Sequence, residues 1–324
     1  MTKILILGGG GMIGQKLAHH LARDGWGGQG AEVILHDIGF TPHGAPAHWH
    51  ITGNLSDPGA AAALAALRPD VIFHLAAVVS GEAEQEFEKG WQVNMMACWS
   101  LLEALRGEHL ASDGAYCPRL VFSSSIAVFG APFPEPIGDE FLCAPLTSYG
   151  AQKAICELMI TDFSRKGFID GISIRLPTIC VRPGKPNKAA SGFFSGIIRE
   201  PLNGQEAVLP VPDTLRHWHA SPRSAVGFLC RAGRLDTGLL EGRRALNMPG
   251  LACTIAEQIE ALRDIAGGDA VALIRRDEDP GIVRLVSGWP QSFDAARARA
   301  LGFTSESDFR EIISTYISEE LDGL

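Results

Sequence analysis

Two rhythms of apolar positions alternate through the first half of the chain. Short runs of aliphatic and β-branched residues at 3–7, 32–36, 49–52, 71–75, 119–123 and 171–176 read as six strands. Between them, apolar residues return every three or four positions. One helix opens near Gly14, with Leu17 and Leu21 four apart, and others are expected over 60–67, about 84–106 and 148–165. Strand and helix in turn make βαβ units, which predict a parallel sheet covered by helices on both faces. Beyond Leu176 the pattern loosens and Pro and Gly become frequent, with helices expected over 193–199, 224–231, 254–266 and 307–320. Thr254 followed by Glu257 has the form of a capping box, a sign that a helix starts there. The expectation is an α/β chain in two parts. Residues 1–176 form a doubly wound dinucleotide-binding domain, and residues 177–324 form a smaller, mainly substrate-binding lobe, with strands or helices free to return to the first domain.

Length agrees with two lobes, since 324 residues exceed what one small core organises. The chain is 46% hydrophobic and 20% charged, and no apolar run approaches the roughly 20 residues of a membrane span. A soluble protein is expected. The apolar stretch 4–7 runs directly into glycines, which does not fit a targeting segment. A net charge of −9 disfavours nucleic acid or an anionic membrane as partner, because both need clustered cations. A small molecule fits better. Cys98, Cys117, Cys143, Cys156, Cys180, Cys230 and Cys253 are odd in number and contain no Cys-x-x-Cys pair, which points to a reducing cytoplasm.

The first strand enters Gly8-Gly9-Gly10-Gly11-Met12-Ile13-Gly14 and a helical pattern follows at once. Glycines in such a turn let the backbone approach a pyrophosphate, while the helix amides and dipole stabilise its charge. The run satisfies Gly-x-Gly-x-x-Gly from Gly9 and Gly-x-x-Gly-x-x-Gly from Gly8; Gly8, Gly11 and Gly14 are the candidate phosphate-loop glycines. Asp37 closes the second strand at the distance where an acid accepts bonds from the adenosine ribose diol and repels a 2′-phosphate. NAD is therefore expected over NADP.

Tyr149 and Lys153 stand four apart at the start of a predicted helix and so share a face. A phenol is a poor base at neutral pH, but an adjacent ammonium favours the phenolate, which can then take a proton from a substrate hydroxyl. Ser123-Ser124-Ser125 closes the fifth strand at the carboxyl edge, where ligands bind in open α/β sheets. Ser125 is the one expected to hold the reacting oxygen. Asn94 lies within a helical pattern where asparagine is a poor former, which suggests a hydrogen-bonding role near the site.

The glycine loop, His74-Leu75-Ala76-Ala77, Asn94, the serine strand and the Tyr149/Lys153 pair, in this order, resemble the extended short-chain dehydrogenases. The resemblance covers nearly the whole chain and implies a Rossmann-type fold with NAD. In the related UDP-galactose 4-epimerase, Ser-Ser-Ser-x-x-Val-Tyr-Gly is similar to Ser123 through Gly130, with Phe129 in place of the tyrosine and Ser125 at the catalytic serine. The resemblance further implies that Met12 and Ile13 offer amides to the pyrophosphate. Asn54 and Leu55 would contact adenine, Asn54 standing where the family usually has Asp. Leu75, Ala76, Ala77, Asn94 and Leu176 would line the cofactor, which Lys153 and Tyr149 also meet, and Ser80 would join Ser125 and Tyr149 at the substrate.

Departures from the family narrow the chemistry. Dehydratases of this fold place Asp-Glu after the catalytic serine or threonine, where this chain has Ile126-Ala127, so water elimination is not expected. Sugar-nucleotide enzymes tend to read Asn-Val-Tyr-Gly-Pro after the sixth strand, and here the sequence is Thr178-Ile179-Cys180-Val181-Arg182. The strings 128–133, 145–150, 182–191 and 199–202 resemble instead a branch of the family that oxidises small sugar acids. Oxidation at C2 is thus expected, with Asn187, Ser191, Arg182, Arg216 and Arg223 as candidate substrate contacts. The alternative is a sugar-nucleotide epimerase that retains its NAD; a dinucleotide sensor without catalysis would not need the Ser, Tyr and Lys set. His217 and His219 alternate on a strand, but no third ligand is suggested and no metal is expected. A homodimer is a further expectation.

Overall fold

The computed structural model describes residues 1–41, 44–184 and 191–321. Along the chain run β1 (Thr2–Leu7), α1 (Met12–Asp24), β2 (Ala31–Asp37), β3 (Trp49–Thr52), α2 (Ala60–Ala65), β4 (Val71–His74), α3 (Ser80–Gln85) and α4 (Phe87–Gly90). A π-helical turn (Trp91–Met96) leads into α5 (Ala97–Ala111), followed by β5 (Arg119–Ser125), α6 (Ser148–Arg165), β6 (Asp170–Leu176) and β7 (Thr178–Ile179). The second half contains α7 (Gly192–Leu202), β8 (Ala207–Leu209), β9 (Arg216–Ala220), α8 (Pro222–Arg234), β10 (Ala245–Asn247) and β11 (Leu251–Thr254). Then come α9 (Ile255–Ala272), β12 (Ile274–Arg276), α10 (Pro280–Val286), α11 (Ala296–Ala300) and α12 (Phe309–Tyr316).

Seven parallel strands form the main sheet in the order β10-β6-β5-β4-β1-β2-β3, and the winding reverses between β1 and β4. The two-residue period of a strand divides its side chains between two cores. Ile4 and Ile6 join Leu17, Leu21, Val226 and Leu229 of α1 and α8 on one face. Leu5 and Leu7 join Leu64, Leu101, Leu105 and Ile160 of α2, α5 and α6 on the other. All six expected strands are present. The expected long helix over 84–106 is not continuous. Glu86 leaves the helical region (φ −112°, ψ 69°), and the π turn inserts a residue that swings Asn94 inward.

The later half of the chain does not stay apart from this sheet. β10 extends its edge beside β6, and α8, started by the Ser221 cap with a proline at its first turn, packs under β4, β5 and β6. What remains is a lobe with its own core of Val181, Phe194, Ile197, Leu209, Ile259, Leu262, Ile312 and Ile313 from β8, α7, α9, α12 and the segment after β7. The Thr254–Glu257 capping box is formed, and α9 begins at Ile255. No helix among the described residues is long and apolar enough to cross a membrane.

Candidate active site

The segments that leave β1 and β4 meet at the point where the sheet order reverses, the usual ligand crevice of such a sheet. Gly8 and Gly9 both donate to the His36 carbonyl, at 2.9 and 3.1 Å, which ties the loop to β2. Gly8 adopts φ +85°, and a Cβ there would lie 2.7 Å from the Ala76 amide nitrogen. A Cβ on Gly14 would strike the Gly8 carbonyl, so both positions exclude side chains. The register that begins at Gly8 accounts for the positive φ. Gly11 is the N-cap of α1, with no side-chain cap and no acid in the first turn. The uncapped amides of Met12 and Ile13 and the helix dipole thus fit an anion, and the cradle as a whole fits a dinucleotide.

Asp37 reaches back into this loop. Its Oδ2 accepts from Gly10 N at 2.9 Å and its Oδ1 from Ile38 N at 2.7 Å, and each carboxylate oxygen keeps a further lone pair. Asn54 is exposed and turns on itself, accepting from Ser56 N at 2.9 Å, while Leu55 is buried in the core between the sheet and α5. Leu75 donates to the Leu7 carbonyl at 2.8 Å, which places Leu75, Ala76 and Ala77 beside the glycine loop. Leu176 is the sheet partner of Ser125 at the same carboxyl edge.

Asn94 is buried and all its polar atoms are engaged. Its Oδ1 accepts from Val78 N at 2.9 Å, and its Nδ2 donates to Val78 O at 3.2 Å and to Gln152 Oε1 at 2.7 Å. It therefore clamps the segment between Ala77 and Ser80, the first residue of α3, against α6. Sequence reasoning passed over Gln152 because its partner lies 58 residues away, although its place beside Lys153 was a local signal.

The three serines have separate partners. Ser123 donates to the His74 carbonyl at 3.1 Å, and Ser124 donates to the buried Glu157 carboxylate. Ser125 Oγ accepts from Ala127 N at 3.1 Å, which leaves its hydroxyl hydrogen available to a ligand. Thr147 caps α6, so Tyr149 stands in its first turn and Lys153 one turn later. The Lys153 ammonium lies 5.6 Å from the Tyr149 ring centroid and 4.5 Å from that of Phe122. It donates to the Ser123 carbonyl at 2.8 Å, and two further N–H groups remain. Burial, with the nearby Lys153 charge, pulls His74 down to about 3, so its imidazole is neutral.

In the second lobe Arg182 donates from Nη2 to Ser191 Oγ at 2.7 Å and lies within electrostatic range of Tyr149. Arg223 is exposed and tied to Glu319 at 2.7 Å and Ser318 at 3.3 Å, and Arg216 is exposed on β9. Asn187 falls outside the described residues. Thr178 meets His217 Nε2 at 2.7 Å, and His217 Nδ1 donates to the Pro290 carbonyl at 2.9 Å. His219 stands 5.4 Å from His217 between ring centroids and accepts from Gln258.

Residues 4–219 match the model of the NAD dependent epimerase/dehydratase family. D-erythronate dehydrogenase of Cupriavidus necator is 42% identical over 98% of this chain and 98% of its own. The protein of that name from Haemophilus influenzae is 40% identical over 98% of this chain and 100% of its own. A crystal structure described as the nucleoside-diphosphate-sugar epimerase from Agrobacterium tumefaciens superposes with a TM-score of 0.95 at 57% identity, covering 100% of this chain and 95% of that one. A glycine cradle at the switch point, a serine strand and a Tyr-x-x-x-Lys helix therefore stand on a chain whose relatives share its full length. This chain belongs to the NAD dependent epimerase/dehydratase family.

Proposed function

We propose that this protein oxidises the C2 hydroxyl of a small sugar acid with NAD, and that the acid is D-erythronate, yielding 2-dehydro-D-erythronate. The observation that carries this reading is the identity of 42% and 40%, across nearly the full chain, to two proteins named D-erythronate dehydrogenase. NAD, when bound, supplies the hydride acceptor. The amides of Met12 and Ile13 would hold its pyrophosphate and Asp37 its adenosine ribose, with Asn54 and Leu55 at the adenine. Leu75, Ala76, Ala77 and Leu176 would form the walls, and Asn94 would position the segment at Val78. Ser125 donates its hydroxyl hydrogen to the substrate oxygen, and Ser80 would join it at the substrate. Tyr149 takes the C2 hydroxyl proton, and the Lys153 ammonium stabilises the phenolate and reaches the nicotinamide ribose.

A second reading, a sugar-nucleotide epimerase, draws on the description of the Agrobacterium neighbour. Against it stands Thr178, which replaces the asparagine typical of sugar-nucleotide enzymes and has its hydroxyl engaged by His217. The two readings separate on net NADH. Wild type supplied with D-erythronate and NAD should accumulate NADH, and Tyr149→Phe should lower kcat by about 10²- to 10⁴-fold while still binding NAD. If sugar acids yield no NADH and a UDP-hexose is epimerised, the epimerase reading replaces this one.

Free thiols at all seven cysteines support a cytoplasmic location, tested by fractionation of the source cells. Phe87, Trp99 and Leu158 are 58%, 42% and 71% exposed on α4, α5 and α6, which supports a homodimer through that face. A solution mass near that of one chain would exclude it.

A further inference from the structure

The well-buried arginines of this protein are matched by carboxylates. Arg175 meets Glu157 at 2.8 Å and Arg199 meets Glu200 at 2.5 Å, and the less buried Arg119 meets Asp170 at 2.6 Å. Arg182, which is half-buried, departs from this pattern, as does the half-buried Arg297, whose guanidinium is spent on the backbone carbonyls of Ala245, Leu240 and Arg243. Among the described residues no Asp or Glu oxygen lies within 4.0 Å of the Arg182 guanidinium. Burial lowers its hold on the proton, while the Cys180 and Tyr149 side chains act the other way. A half-buried cation without an acid beside it gains from a counter-charge that offsets its partial desolvation.

Its position is nonetheless firmly held. The Arg182 amide donates to Ser195 Oγ at 3.0 Å, and its carbonyl accepts from Arg199 Nη1 at 2.8 Å, both from α7. Nε donates to the Ile179 carbonyl at 2.9 Å and Nη2 to Ser191 Oγ at 2.7 Å. Both Nη1 hydrogens and one on Nη2 are then left without a partner among the described residues. Those are donors with which a guanidinium meets a carboxylate through two parallel bonds. The other two candidates do not match: Arg223 already has Glu319, and Arg216 is exposed.

We propose that Arg182, steadied by Ser191, receives the carboxylate of the substrate and so restricts the Tyr149 site to free acids; this rests on the sugar-acid reading above. A counter-charge supplied by the substrate also explains why no Asp or Glu among the described residues pairs with it.

The test compares NADH formation from D-erythronate and from its neutral primary amide in wild type, Arg182→Met and Arg182→Lys. Arg182→Met should raise KM for the acid and lower kcat/KM roughly ten- to a hundredfold, the loss expected for a charged hydrogen bond. Its preference for acid over amide should collapse while the NAD dissociation constant stays unchanged. Arg182→Lys keeps the charge but not the fork, so it should restore part of that preference. A folded, NAD-binding Arg182→Met with undiminished preference overturns the proposal. Should Arg182→Met fail to fold, undiminished preference in Arg182→Lys does the same. If wild type oxidises no four- to six-carbon sugar acid at all, the sugar-acid reading fails and the subsite falls with it. If acids are oxidised and the variants keep their preference, only the subsite fails.

Discussion

Asp37 holds the Gly10 amide with one oxygen and the Ile38 amide with the other, so it shapes the glycine loop as well as facing the place proposed for the adenosine ribose. Shape and charge can be separated at this residue. Asp37→Asn keeps an acceptor for the loop amide but loses the negative charge, whereas Asp37→Ser shortens the side chain and loses both. Both should narrow the ratio of kcat/KM for NAD to that for NADP, because repulsion of a 2′-phosphate goes with the charge. Asp37→Ser should also weaken NAD use. Initial rates with the two cofactors measure this, and an unchanged ratio in both variants would remove Asp37 from cofactor choice. Ser125 was legible at this scale from its place at a strand end, but what sets it apart from Ser123 and Ser124 is the distant partner each of those has found.

At the scale of elements, one buried ion pair connects the catalytic helix to the sheet. Arg175 of β6 and Glu157 of α6, 6% and 4% exposed, bond at 2.8 Å, and Glu157 also accepts from Ser124, next to Ser125. Arg175 further reaches Asn247 of β10 at 3.3 Å and lies 4.8 Å from the Phe129 ring centroid. Removal of one partner leaves an uncompensated charge in the core, which costs about 3–5 kcal/mol, whereas removal of both is far less damaging. Arg175→Met should therefore lose about that much unfolding free energy, and the double variant Arg175→Met/Glu157→Leu should regain most of it. Urea unfolding of the single and double variants gives the coupling. Equal losses in the two would mean that the pair is not what holds α6 to β6. Only the four-residue spacing of Tyr149 and Lys153 on this helix could be read in advance; the pair beneath it joins residues 18 apart across a strand–helix contact that spacing does not encode.

For the whole molecule, acid should be the weak side of the stability profile. Burial draws His217 down to about 4 and His74 to about 3, and draws His219 well below its ordinary range. Each is neutral in the fold, and the unfolded chain takes up its protons near the ordinary value of 6.5. Their contribution is thus fully present above pH 6.5 and is lost as pH falls, through about 4 for His217, on the order of 3 kcal/mol for that group. Urea midpoints should hold from pH 7.5 to about 6.5 and fall from there to about 4.5, a range above most carboxylate titrations, and His217→Gln should flatten that slope by about one proton. A flat wild-type profile would contradict the buried neutral state. The sequence by itself determined the six strands, their alternation with helices, the glycine turn, the Tyr149–Lys153 face and the Thr254–Glu257 cap, because each depends on a period or spacing within a few residues. Tertiary structure alone decided that β10 and α8 return to the first sheet, that Asn94 clamps Val78 to Gln152, and that Arg182 has no acid partner among the described residues where Arg175 and Arg199 have one. Those outcomes depend on which groups meet across tens of residues, where desolvation and hydrogen-bond partners are set by packing and not by neighbours in the chain.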